Sequence, residues 1–224
     1  MRVIALVMGL LLPLFANAAD TPASAKPAPA SYEEGKQYEV IPGTTKPTPG
    51  TKIEVTEFFW YGCGHCFAFE PILEPWAKKL PDTVKFTRSP AMWPQRRPGL
   101  PEDLMTQHAK LYYTALATNN LTKLHPIFFD AVYKQGKHMI DPKEIAEVVT
   151  AAGLDGAKFT ATLNSFAVQS QVTQADARLR MAKISGTPEL VVGGYYKVSA
   201  GNAGGQKQML EVVDFLVKKI QSGG

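Results

Sequence analysis

The spacing of apolar side chains changes character several times along this chain, and each change marks an element. From Lys52 to Phe59, Ile53, Val55, Glu57 and Phe59 share one side of an extended segment, with Phe58 and Trp60 on the other. Apolar residues on both faces predict a central strand covered on both sides, with Glu57 as the polar exception. The run ends at Tyr61-Gly62. A helix is expected from about Cys63, carrying Phe67, Phe69, Ile72, Leu73 and Trp76, with a kink at Pro71. Thr83 to Arg88 reads as a second short strand.

From Glu102 to about Gln171 the period becomes 3.6 and strand patterns disappear. Leu104, His108, Leu111, Tyr112 and Ala115 share one helical face, and Leu124, Ile127, Phe128 and Val132 share another. Asp141-Pro142-Lys143-Glu144 reads as a helix start, with an acid at the N-cap and proline at the first helical position. Gly136, Gly153 and Gly156 punctuate the block, which predicts a small helical bundle. A further helix through Lys183 leads to a strand at Leu190-Val191-Val192, a Gly193-Gly194 turn and a partner strand from Tyr195 to Ser199. Gln206 to Gln221 closes as an amphipathic helix. The two ends are α/β fragments that complete one another across the helical block. The reading is therefore one α/β domain, residues 32–95 and 172–224, with an all-helical insertion over 96–171, rather than two domains in series.

The first residues carry an address. Met1-Arg2, an apolar run from Val3 to Phe15 and the small residues of Ala16-Asn17-Ala18 form a secretory signal peptide, residues 1–18, cleaved after Ala18. The run is shorter than the roughly 20 apolar residues of a membrane span. Residues 19–31, rich in Ala and Pro, read as a flexible leader. Apolar residues make up 45% and charged residues 20% of the chain, which excludes a disordered protein. The net charge of +4 is scattered rather than clustered, so nucleic acid is not an expected partner.

The only two cysteines stand in Cys63-Gly64-His65-Cys66. As a structural staple they are badly placed: a four-residue ring yields only about 2 kcal/mol, against about 4.7 for a ring of 100 residues. Zinc wants four ligands, and His108, His125 and His138 lack a paired metal spacing. Redox chemistry suits the pair better. A cysteine in the first turn of a helix meets unpaired backbone N–H groups and the positive end of the macrodipole, both of which stabilise a thiolate. Cys66, one turn on and facing the core, leaves Cys63 as the exposed, attacking member. His65 between them can carry a positive charge or donate a hydrogen bond to the Cys63 thiolate.

The segment from Phe58 to Cys66, followed by Phe69-Glu70, resembles the active-site region of the DsbA family of thioredoxin-fold thiol oxidases. Tyr32-Glu33-Glu34-Gly35-Lys36-Gln37-Tyr38 is similar to that family's opening, and Gly186-Thr187-Pro188-Glu189-Leu190-Val191-Val192 to its cis-proline loop and following strand. The likeness extends over Tyr32 to Ile220. It implies a thioredoxin-like fold with an inserted helical domain, a redox-active Cys63–Cys66 disulfide, a depressed thiol pKa and an oxidising potential. Thr187 would offer its backbone to the substrate chain beside a cis Pro188, and Glu57, at the offset where thioredoxin-fold enzymes keep an acid, would relay the proton of Cys66. Arg88, Trp93, Arg96 and Arg97 are expected as surface or hinge residues. Gly64-His65, where the family's usual pair is Pro-His, and Thr187, where many members have Val, both touch the sulfurs and tune the potential.

The implied protein is a soluble, monomeric, periplasmic oxidoreductase without prosthetic group. Its partners would be unfolded or newly exported proteins with free thiols, and a DsbB-like, quinone-linked membrane oxidase that restores the disulfide. An isomerase or reductase of the same fold is the nearest alternative, and a peptide-binding chaperone with incidental cysteines is the alternative from another class.

Overall fold

Strand β2 (Ile53–Phe59) is buried over most of its length, as an extended run with apolar side chains on both faces requires. It is the centre of the computed structural model, which describes residues 31–94 and 99–223. The expected signal peptide, nearly all of the expected leader, Arg96 and Arg97 lie outside the described residues. The other elements are β1 (Glu39–Val40), α1 (Gly64–Ala77), β3 (Val84–Pro90), α2 (Leu104–Ala117), α3 (Leu121–Tyr133), α4 (Pro142–Ala151), α5 (Gly156–Thr162), α6 (Phe166–Met181), β4 (Glu189–Val192), β5 (Tyr196–Ser199), α7 (Ala200–Ala203) and α8 (Gln206–Gln221). The five strands form one mixed sheet in the order β1-β5-β4-β2-β3. β3 runs parallel to β2 through the α1 crossover, and β4 pairs antiparallel with β2, Thr56 opposite Val191. The hairpin at Gly193-Gly194 needs positive φ at both residues, 62° and 63°, which glycine supplies without strain.

Five helices, α2 to α6, separate β3 from β4 in the chain. They do not fold around a core of their own. Phe58, Phe59, Trp60, Tyr61 and Cys66 join the same buried cluster as Leu111, Leu124, Phe128 and Phe129 of the helical block. A second cluster gathers Ile53, Val55, Leu73, Leu190, Val192, Val198, Val213 and Leu216 under α8. Residues Ser31–Gly224 are accordingly one compact unit.

Several expectations change here. The boundary placed between 171 and 172 falls inside α6, because Val168, Val172, Ala175 and Leu179 form one continuous buried stripe. Helix α1, expected with a kink at Pro71, runs on through both Pro71 and Pro75, although each proline removes a helical N–H. The short elements β1 and α7 are too small to leave a periodic pattern. Among the described residues no helix is long and apolar enough to cross a membrane.

Candidate active site

The end of β2 and the start of α1 are joined by Tyr61-Gly62, and the path of that turn is fixed by packing. A Cβ on Gly62 would collide with the Trp60 ring, so only glycine fits. Cys63 is then the N-cap of α1, and its sulfur accepts from the backbone N–H of Cys66 at 3.4 Å. On the other side the Cys63 thiol donates to the carbonyl of Thr187 at 3.2 Å. The Thr187–Pro188 peptide is cis. The sequence-distant loop before β4 is thus brought against the helix start, with Cys63 half-buried and Cys66 fully buried, both as free thiols. A cleft of about 410 Å³ opens over them, lined by Trp60, Gly62, Cys63, Gly64, His65, Trp93 and Thr187. A larger hollow of about 540 Å³ shares Trp93 but is lined by neither cysteine, so size does not mark the site.

The two sulfurs are driven apart electrostatically. The Cys66 thiol hydrogen bond is the largest influence on Cys63 and favours its thiolate; burial opposes this, and the Thr187 side chain and the backbone N–H groups of Cys66 and His65 add support. The Cys63 thiol pKa is lowered to about 5. Burial, then the hydrogen bond to Cys63 and the Glu57 charge, push the Cys66 thiol far up. His65 acts here through its backbone. Its imidazole is exposed and makes no hydrogen bond to Cys63, contrary to one of the two roles expected for it.

Beneath the sulfurs lies a cluster of charges. Glu57 is fully buried, and Arg88, its neighbour in register on β3, donates to it through Nε at 2.8 Å. Arg88 Nη2 serves Glu70 at 3.3 Å and Glu74 at 2.6 Å, both on α1. With 12% of its side chain exposed, Arg88 is no surface or hinge residue. Burial raises the Glu57 carboxyl to about 8 against the pull of Arg88. Its second oxygen, Oε1, has no hydrogen-bond partner. Burial also disfavours the Glu70 anion, but the hydrogen bond from His125, with the Arg88 guanidinium, outweighs it and holds that carboxyl below its ordinary value. Trp93, expected at the surface or a hinge, packs half-buried against the core and walls the cleft. Sequence reading missed Glu74, Arg88 and His125. The available signal was the i, i+4 spacing of Glu70 and Glu74 on the crossover helix, which aims both at the parallel strand that follows.

A β-α-β unit completed by an antiparallel hairpin, with Cys-x-x-Cys at a helix start facing an X–Pro loop, defines a dithiol–disulfide exchange protein of thioredoxin fold. The chain belongs to the DsbA family: the model of the DSBA-like thioredoxin domain matches residues 54–214. The thiol:disulfide interchange protein DsbA of Azotobacter vinelandii is 38% identical over 195 residues, 87% of each chain. That of Pseudomonas syringae pv. tomato is 39% identical over 188 residues, 84% of each. The crystal structure of Pseudomonas aeruginosa DsbA superposes with a TM-score of 0.77 at 34% identity, covering 86% of this chain and 96% of that one. The protein is an oxidoreductase that introduces disulfide bonds by thiol–disulfide exchange, and its fold is thioredoxin-like with helices added.

Proposed function

We propose that Cys63 is the sulfur that substrates attack and Cys66 the one that leaves. The observation that carries this is the opposed environment of the pair, an accessible sulfur stable as a thiolate beside a buried one that is not. A substrate thiolate attacks Cys63 Sγ of the oxidised enzyme, the Cys63–Cys66 bond breaks, and Cys66 departs with the bonding electrons. Glu57, protonated at neutral pH, gives its proton to that thiolate. A second substrate thiolate then attacks the substrate sulfur of the mixed disulfide and releases Cys63 as a stable thiolate. Substrate has lost two electrons and the enzyme has gained them. Thr187 offers its backbone to the substrate chain beside Pro188, which has no N–H to compete. The low affinity of Cys63 for its proton favours oxidation of substrates over isomerisation, because it makes Cys63 the better leaving group.

In this reading the chain is exported by its signal peptide and works as a monomer in the periplasm on newly exported proteins with free thiols. A quinone-linked membrane oxidase of the DsbB type takes the two electrons back. The test is covalent trapping. Cys66→Ala should accumulate mixed disulfides with exported proteins, and Cys63→Ser should form none. Pro188→Thr should also accumulate adducts. No reducible adduct on purified Cys66→Ala would reverse the assignment of the two sulfurs.

A further inference from the structure

The helical insertion buries His108, Tyr112 and His125 near the cysteine turn, and of these His125 contacts a carboxylate of the charged cluster beneath it. His125, on α3, is 4% exposed and lies among the rings of Phe59, Tyr112 and Phe129, with centroids 5.1, 6.0 and 5.2 Å away. A leucine or phenylalanine would fill such a cage with no polar group to satisfy, so an imidazole there needs a reason. Both of its nitrogens are engaged. Nδ1 is 2.8 Å from the Tyr61 hydroxyl, and Nε2 is 3.4 Å from Glu70 Oε1. A neutral ring satisfies both at once by accepting from Tyr61 and donating to the Glu70 carboxylate, the tautomer that the network assigns. Burial favours that neutral form. The contacts thus run from Tyr61, two residues before Cys63, through His125, Glu70 and Arg88 to Glu57.

We infer that His125 is a positioning residue for the exchange reaction: by satisfying Glu70 from the insertion side, it leaves the Arg88 guanidinium on Glu57 and anchors Tyr61 beside the cysteine turn. The inference rests on the reading of Glu57 as the proton relay of Cys66. Without the imidazole, Glu70 depends on Arg88 alone, and the guanidinium is drawn toward α1. Glu57 then loses support for its anion and holds its proton more tightly. The charged and titratable groups around His125 are Glu70 and Glu74 from α1, Arg88 from β3, Tyr61 from the turn and Tyr112 from α2. Glu57 is reached through Arg88.

The experiment isolates the step in which Glu57 acts as base. An aryl thiol is placed in mixed disulfide with Cys63. Cys66 then gives its proton to the Glu57 carboxylate and attacks Cys63 Sγ, and the coloured aryl thiolate leaves. Its release is followed from pH 5 to pH 9 in wild type, His125→Leu, His125→Gln and Glu57→Gln, with folding checked by thermal melts. His125→Leu should move the midpoint upward by about 0.5–1 pH unit, which is about three- to tenfold slower release at pH 7. His125→Gln, which can accept with one end and donate with the other, should restore the wild-type profile. In the Glu57→Gln background His125→Leu should add no shift. Should His125→Leu not fold, His125→Asn, a methylene shorter than Gln, must show the upward shift. A Glu57→Gln profile identical to wild type removes the relay reading, and this inference with it. A displaced Glu57→Gln profile beside an unmoved profile in a folded His125→Leu or His125→Asn overturns the role of His125 alone.

Discussion

Where α8 packs on β4 and β5, the buried side chains are mostly aliphatic, Leu190, Val192, Val198, Val212, Val213 and Leu216, with Tyr38, Phe69 and Tyr196 beside them; where the helical insertion packs, Phe59, Tyr61, Tyr112, Phe128 and Phe129 are prominent, with His108 and His125 among them. Among the described residues, no side chain of the cluster under α8 buries a polar atom without a hydrogen-bond partner, and its Tyr38 hydroxyl accepts from Lys219. On or beside the insertion side, Glu57 Oε1, His108 Nδ1 and Thr114 Oγ1 are buried without a hydrogen-bond partner. Each such group costs about 1–3 kcal/mol. One half of the sheet therefore supplies stability, and the other gives some of it up to hold polar groups next to the sulfurs. Stability and chemistry are divided in space.

That division can be broken at its strongest point first. Leu216→Ala removes a fully buried side chain from the aliphatic side and should cost about 3 kcal/mol in denaturant unfolding. It should leave the pH profile of aryl thiol release where it was; a displaced profile would show that the two sides are not independent. Next comes the state of the cysteines. The four-residue ring stabilises the oxidised form by about 2 kcal/mol. Against it, the Cys63 thiol is lowered from 9.0 to about 5, so its thiolate stabilises the folded dithiol form. A depressed pKa contributes fully above the unfolded value and fades as pH falls through the folded one. At pH 7 this amounts to about 2 kcal/mol after allowance for solvent at a half-exposed sulfur. Paired melts should find the oxidised protein more stable below pH 5 and the dithiol form overtaking it between pH 7 and pH 9. A gap that stays constant with pH would refute the thiolate account.

Glu57→Gln has a smaller effect with its own pH signature. The folded carboxyl is raised from 4.5 to about 8, so the wild-type contribution is present below 4.5 and lost as pH rises through 8. Glutamine cannot ionise. The variant should therefore gain on wild type as pH increases, by about 1–2 kcal/mol at pH 8, read as a difference of melting curves. A constant offset between the curves would mean that Glu57 does not titrate in this range. Gly64→Ala should do least. The added methyl would rest at ordinary contact distance, 3.7 Å, from the Tyr133 ring, and the unfolded chain would lose freedom. A gain of about 0.5 kcal/mol is expected, with the Cys63 thiol titration unchanged in ultraviolet absorbance.

The same division decides what could be read in the sequence. The β2 run, the Gly193-Gly194 hairpin and the span of α8 were legible because a strand or helix against an aliphatic core repeats with one period. Asp141 was legible as an N-cap because its side chain and Pro142 act locally, and it does accept from the Lys143 N–H. Cys63, Cys66, Thr187 and Pro188 stood out through motif and resemblance. Arg88 and His125 did not. Nothing local distinguishes an arginine late in a short strand from an exposed one. Its burial depends on three carboxylates delivered from β2 and α1 once β3 docks. His125 lies on a face whose pattern is satisfied by Leu124 and Phe128, and its partners are 64 and 55 residues away.

The bond between Cys63 and Thr187 spans 124 residues of chain. A polypeptide that emerges N-terminus first therefore presents its two cysteines long before the loop that faces them exists. Until β4 has entered the sheet beside β2, with the whole helical block already made, Cys63 lacks part of its setting. Closing so long a loop is entropically costly and belongs late in folding. During its own synthesis the chain thus carries a Cys63 whose local support, from Cys66 and the helix start, comes with the motif, while the contact to Thr187 is added only with the last strands.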